Sequence, residues 1–456
     1  MGVAVVHSSD RLPRMRFAVT VLRSRPRLWV FALSVMPALT ESRAQVISSR
    51  ETSPARGGFS LSDAAALARR HHPLLEAAGG HRQVAVGVAR QESAFPNPVV
   101  EWRRENYGSP LPRDEFVSAG LPLDFYGRRV ALRAAGGFSA ARALADSSSM
   151  AQRVEFDVAQ AYWRAARALS LRDAATEQRM AIDTIARIEA ERVRQGAAPA
   201  GAALRARLEA DRARLAEAGA RADLERARGD LARALAMPFD SVPLPTEAPR
   251  VESGTGVPAL GALLAMAQTR RAELRGARSR VDETARRQLA ERLGTWPALG
   301  VQVGSKRTSG FLTGTVQVGV AVPLFDRNGG NRERAQGDVL IATGDLRAAE
   351  ATVNADVTAA YRAYTTMLAE YDRGIGQDAA GLRDLDSRSL AVATIAAAAY
   401  REGAIQLFEL LDAQRVRAEV RTAALRTAID VQLARIDLLR AVGLPIDSAV
   451  FLPSPP

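Results

Sequence analysis

The sequence predicts an α+β chain in which two copies of one unit follow each other, each setting a β-hairpin between helices long enough to form coiled-coil rods. Three observations carry this: recurring motifs, apolar positions that step by three and four, and short stretches where the period drops to two. "VEFDVAQAYWRA" returns as "VNADVTAAYRAY", so that Val154, Asp157, Val158, Ala161 and Tyr162 match Val353, Asp356, Val357, Ala360 and Tyr361 at a shift of 199. Further along, Gly196 aligns with Gly403 and Pro238 with Pro445, both at a shift of 207.

The first unit is expected at 59–250. Ser60 or Ser62 can cap a helix reaching about 91, and strands follow at 98–106 and 115–124, forming a hairpin at 98–124 around Gly108, Pro110 and Pro112. A helix is then expected over 127–194, a turn near 196, and a helix over 200–236. The second unit, 251–445, repeats the order: a helix over 258–293, a hairpin at 298–322, a helix over 331–401, a turn near 403 and a helix to about 442, with a tail at 446–456. A helix of some 65–70 residues would be roughly 100 Å long and needs partners along its length. Val353, Val357, Tyr361, Tyr364, Leu368 and Tyr371 supply one such seam, and Leu425, Ile429, Leu433, Ile436 and Leu439 another.

The formal charge of +12 would suggest a nucleic-acid partner, but residues 1–44 hold seven arginines against Asp10 and Glu41, and the remaining excess is scattered among acidic residues on helix faces. We expect no nucleic acid. Arg23, Arg25 and Arg27 precede the apolar run LWVFALSVMPAL and a small-x-small site, Ser42-Arg43-Ala44, which reads as a signal peptide at 1–44 before an N-terminal segment at 45–58; Met15 is an alternative start. With no cysteine in the chain, disulfides, thiolate metal sites and cysteine nucleophiles are excluded.

A cytoskeletal or nucleoid coiled coil would share the helical seams but not the strands. In "TGTVQVGVAV", Val316, Val318, Val320 and Val322 fall on one face and Gln317, Gly319 and Ala321 on the other, as in a lipid-facing barrel strand. The windows 95–126 and 296–325 hold nine of the 24 aromatics, Phe95, Trp102, Tyr107, Phe116, Phe125, Tyr126, Trp296, Phe311 and Phe325, which suits a membrane-interface girdle. Four strands cannot close a barrel, and an open edge in hydrocarbon leaves backbone groups unpaired. Three copies would give a twelve-stranded pore.

The two-unit order, the "VxxDVxxAYxxA" segments, the "PL" steps after the hairpins at Pro122-Leu123 and Pro323-Leu324, and "YREGAIQLFELLDAQRVRAE" followed by "ARIDLLRAVGLP" resemble the TolC-type outer-membrane efflux proteins. "QESAFPNPVVEW" and "LPLDFYGRRVALRAA" are similar to the cation-efflux, CzcC-like branch. The resemblance implies a homotrimer: a twelve-stranded barrel in outer-membrane lipid, joined to a helical barrel through the periplasm. It implies a passive duct for a tripartite RND-type pump exporting heavy-metal cations or drugs, with a periplasmic adaptor and an inner-membrane transporter as partners. By the same resemblance Glu409 and Asp412 would ring the periplasmic gate, with Arg205 standing opposite Asp412 in the other copy. Arg194, Gly196, Glu402 and Gly403 would be the adaptor-docking turns. Many relatives carry a lipid-modified N-terminal cysteine that this chain lacks.

No enzymatic chemistry is expected. His71 and His72 are adjacent and diverge on a helix, there is no phosphate loop or nucleophile elbow, and Asp157 and Asp356 read as duplicated structural positions. Neither cofactor nor metal is implied. A soluble periplasmic coiled-coil scaffold or adaptor is the alternative from another class.

Overall fold

The computed structural model describes residues 58–108, 110–111, 113–247, 257–373 and 381–448. Contacts divide the chain into Met1–Arg56 and Gly57–Pro456, and everything below concerns the second unit. The expected signal peptide at 1–44 lies outside the described residues, as do 45–57 of the expected N-terminal segment 45–58 and 449–456 of the expected tail 446–456.

Two helices open the unit, α1 (Leu61–His71) and α2 (Pro73–Glu92). Strands β1 (Val99–Glu105) and β2 (Asp114–Leu123) follow, then α3 (Arg128–Arg194) and α4 (Ala200–Leu235). Next come α5 (Leu260–Arg270), α6 (Ala272–Leu293), β3 (Ala298–Thr308), β4 (Phe311–Ala321), α7 (Gly329–Arg373), α8 (Gly381–Arg401) and α9 (Leu407–Val442). The expected join of α7 and α8 into one rod falls at 374–380, outside the described residues.

The start of α1 shows how locally these elements are specified. Ser60 Oγ accepts from the Asp63 backbone N–H at 3.1 Å, and the Asp63 carboxylate accepts from the Ser60 N–H at 3.0 Å, a reciprocal cap. The single helix expected over 60–91 is in fact two. Pro73 has no N–H to continue the ladder and drives His72 to an extended conformation (φ −73°, ψ 123°). The helix expected over 258–293 also breaks, at Arg271, with no proline involved. There the Arg271 guanidinium donates to the carbonyls of Arg440 (3.0 Å) and Ala441 (3.2 Å), satisfying the C-terminus of α9.

The four strands form one antiparallel sheet in the order β1-β2-β3-β4. The helices pack in two further layers. In one, α3 lies between α2 and α6, and α6 contacts α7; in the other, α3 lies between α4 and α9, and α9 contacts α8. The long α3 thus runs through both. The main core gathers Phe156, Tyr162, Leu231, Leu235, Leu263, Leu274, Ile429, Leu438 and Leu439 with many alanines, whose small side chains let the helices approach closely. Tyr162 is fully buried and donates its hydroxyl to the Phe59 carbonyl at 2.9 Å. Asp157 and Asp356, the matched carboxylates, face arginines of neighbouring helices, Arg440 at 3.5 Å and Arg271 at 3.6 Å.

Candidate functional site

The sheet has two chemically distinct faces. Directly paired residues of an antiparallel ladder project to the same side. The register pairs Val100 with Ala119, Ala119 with Val303 and Val303 with Val316; one step along it pairs Leu121 with Val301 and Val301 with Val318. This face, completed by Trp102, Val117, Leu123, Leu299 and Val320, is apolar. The opposite face pairs Glu101 with Ser118 and Gln302 with Gln317, and Gln302 Nε2 donates to Ser118 Oγ at 2.8 Å and Glu101 Oε2 at 3.1 Å. Lys306 and Asp114 form an ion pair across it at 2.8 Å. Every residue of β4 is exposed, with Val316 at 75% and Val318 at 62%. A sheet of this kind has one face suited to lipid and one to water.

Among the described residues both outer strands have an unpaired edge, and both helical layers end the same way. The edge helix α4 exposes Leu204, Leu208 and Leu215, while α8 exposes Leu390, Val392 and Ile395; α2 exposes Val84 and Val88, and α7 exposes Leu340 and Ile341. Among the described residues no helix is long and apolar enough to cross a membrane.

At the far end of the helices two five-residue turns reverse the chain, between α3 and α4 and between α8 and α9. Gly196 (φ +71°) and Gly403 (φ +79°) occupy the left-handed region, where a Cβ costs roughly 1–2 kcal/mol. The bonding at the two turns matches: Gly196 N–H reaches Val193 O and Ala197 N–H reaches Arg192 O, as Gly403 N–H reaches Tyr400 O and Ala404 N–H reaches Ala399 O. Each turn is a Schellman cap. Arg194, exposed at the end of α3, is paired with Glu191 one turn back, and Glu402 is exposed beside Gly403.

Glu409 sits exposed in the first turn of α9, where the helix dipole favours a carboxylate, and has no ion-pair partner among the described residues. Asp412, three residues on, is bound to Arg415 at 2.7 Å. Half of the expected carboxylate charge is therefore neutralised within the chain. Arg205 is exposed on α4, a helix separated from α9 by α3.

The residues tying the two tips together were not singled out from sequence. Glu189 on α3 is buried, 1% exposed, and accepts from the Tyr400 hydroxyl on α8. Arg192 donates to the same hydroxyl at 2.7 Å and lies 3.4 Å from the carboxylate, its guanidinium 5.1 Å above the tyrosine ring. Burial and the Glu189 carboxylate push the Tyr400 phenol up to about 12. Ile182, Ile185, Ala206, Leu410 and Leu411 pack around this group. The only sequence signal was local: Glu189 and Arg192 stand three apart on one helix face, and Tyr400 precedes the turn glycine by three.

Comparison with known proteins agrees with this geometry. Residues 114–237 match the outer membrane efflux protein family. No curated protein sequence matches the chain. Among solved structures, the fold is similar to the CmeC outer membrane channel of Campylobacter jejuni (TM-score 0.70, 15% identity, 86% of this chain and 87% of that one). It is also similar to the outer membrane protein VceC of Vibrio cholerae (0.67, 18%, 85% and 97%) and the open MtrE channel of Neisseria gonorrhoeae (0.68, 20%, 85% and 89%). At these identities the likeness to each is one of fold. Over residues 114–237 the chain thus matches the outer membrane efflux protein family, and its fold is one shared with outer membrane channels.

Proposed function

We propose that three copies of this chain close into a channel-tunnel that serves as the passive exit duct of a tripartite, RND-type pump. The observation that carries this is the edge structure: among the described residues the sheet and both helical layers each end in two unpartnered elements. A single sheet in hydrocarbon would leave the outer N–H and C=O groups of β1 and β4 unpaired, at several kcal/mol for each group. Pairing β4 of one copy with β1 of the next removes that cost and yields twelve strands, and the leucines of α4 can then meet the aliphatic edge of α8 in the neighbouring copy. On this reading the chain arose by duplication of one helix–hairpin–helix unit.

In the closed assembly the polar sheet face lines the lumen. The tips form the periplasmic end, where Glu409 and Asp412 act as the gate and Arg194, Gly196, Glu402 and Gly403 present the turns to a periplasmic adaptor. The cargo, heavy-metal cations or drugs, is selected by the inner-membrane transporter that the adaptor recruits, and identifying the co-purified transporter assigns it. A soluble periplasmic scaffold would leave the valine face of the sheet in water, a patch of the kind soluble monomers avoid.

Fractionation combined with single-channel recording is the test. Outer-membrane extracts should contain a heat-sensitive oligomer about three times the mass of the chain, and planar bilayers should show conductance. A soluble periplasmic monomer overturns the reading.

A further inference from the structure

The apolar face of the sheet ends, at the hairpin turns, in a charged row. The register continues outward from Trp102 and Val117 to Arg104 and Glu115, and Glu115 pairs with Arg307, which in turn stands opposite Leu312. Arg104 and Glu115 form an ion pair at 3.2 Å. Arg307 is exposed and has no ion-pair partner among the described residues. Just beyond, the guanidiniums of Arg104 and Arg113 lie 5.6 and 6.0 Å from the centre of the Tyr107 ring. The row therefore holds three arginines against one carboxylate, continuous with a face built for acyl chains and edged by Trp102, Tyr107 and Leu312.

We infer that Arg307 and Arg104 bind the phosphate of a phosphorylated, acylated glycolipid in the outer leaflet. The inference rests on the barrel reading above, which turns this face to lipid. The helices lie in the periplasm, so the turn end points outward and its charged row meets the outer leaflet at headgroup depth. Eleven residues of β4 tilted as barrel strands are would span about 25 Å, the height of an outer-membrane apolar band. Acyl chains would lie along Val303, Val316 and Val318, while the guanidinium fork takes phosphate oxygens in bidentate fashion. Glu115 holds Arg104 in place and leaves Arg307 as the free cation.

The test titrates the full-length oligomer in non-ionic detergent with diphosphoryl lipid A and counts bound lipid by native mass spectrometry. Dephosphorylated lipid A, phosphatidylglycerol and inorganic phosphate serve as the other arms. Binding should be strongest for the diphosphoryl form; Arg307→Gln should weaken it about fivefold, and the Arg104→Gln, Arg307→Gln double variant by roughly twentyfold. Arg307→Gln breaks no ion pair and so reports on binding if the double variant fails to fold. Equal binding of the dephosphorylated form, phosphatidylglycerol or inorganic phosphate overturns the glycolipid assignment, as does unchanged binding by Arg307→Gln. Flotation of the wild type with phosphatidylcholine vesicles separates the two readings. A protein that floats as a heat-sensitive oligomer but ignores the phosphate loses only this site, whereas one that does not float loses the barrel and the site together.

Discussion

The Tyr400 hydroxyl donates to the Glu189 carboxylate across 211 residues of sequence, fastening α8 to α3 just inside the two glycine turns. Glu189 is too deeply buried to be left with fewer partners at no cost. Tyr400→Phe keeps the ring over Arg192 but removes one donor, which should destabilise the tip by about 1–3 kcal/mol. Closed-state leakage in planar bilayers should rise while the oligomer survives. The phenol's native value, about 12, lies above its ordinary 10.0, so its contribution is complete below pH 10 and disappears as the pH climbs through 12. Wild-type leakage should therefore increase over that interval, and Tyr400→Phe should flatten the rise.

The two carboxylates proposed for the gate, Glu409 and Asp412, should not behave alike. Asp412 is already paired with Arg415, whereas Glu409 faces solvent without a cation. Glu409→Gln should reduce cation over anion permeability more than Asp412→Asn does. Asp412→Asn instead frees Arg415, which stays within 3.8 Å of Glu419. Reversal-potential measurements in a salt gradient distinguish the two, and equal shifts would remove the distinction.

Some of this architecture was legible in the sequence and some was not, for physical reasons. The valine alternation of β4 and the turn glycines could be read because each is a local constraint: a two-residue period selects a face, and a left-handed turn selects glycine. Asp412 and Arg415 were also readable as an i, i+3 pair, but attention to the carboxylates alone missed it. The break at Arg271 could not be read, since its cause is a pair of carbonyls on α9, some 170 residues away. Tyr400 in its alanine-rich helix likewise announces nothing about Glu189. Tertiary partners chosen across the long hairpins leave no local period behind.

Acid should loosen the α3–α4 hairpin through Glu217. Its carboxylate accepts from Thr176 Oγ1 at 2.9 Å and pairs with Arg179 at 2.8 Å and Arg221 at 2.7 Å. The Thr176 hydrogen bond, followed by the two arginines, holds its pKa below the ordinary 4.5. A lowered native pKa means that the stabilisation is complete above pH 4.5 and is lost as the pH falls through the native value. Glu217→Gln should lower the thermal midpoint at pH 7 and make it less sensitive between pH 5 and 3, and an unchanged acid limb would show that other carboxylates govern it.

The most sensitive single position in the sheet should be Gly304, at the pairing of β2 with β3 that joins the two hairpins of one chain. A Cβ there would lie 2.5 Å from the Val117 carbonyl oxygen and 2.7 Å from Ser118 Cβ, with the Ser118 Cα at 2.9 Å. All three atoms are backbone or fixed to it, so the strands must separate. Gly304→Ala should thus weaken the β2–β3 ladder, and Gly304→Val should reduce the heat-sensitive oligomer to a small fraction of wild type. Gly300, on the same face of β3, has open space around it, so Gly300→Ala is the control and should assemble normally. Gly403→Ala differs in kind: nothing lies within 4 Å of its added methyl, and the cost is that of the left-handed backbone alone, roughly 1–2 kcal/mol, visible as a lower melting temperature with assembly intact. Equal oligomer yields from Gly304→Val and Gly300→Ala would mean that the β2–β3 register does not control assembly.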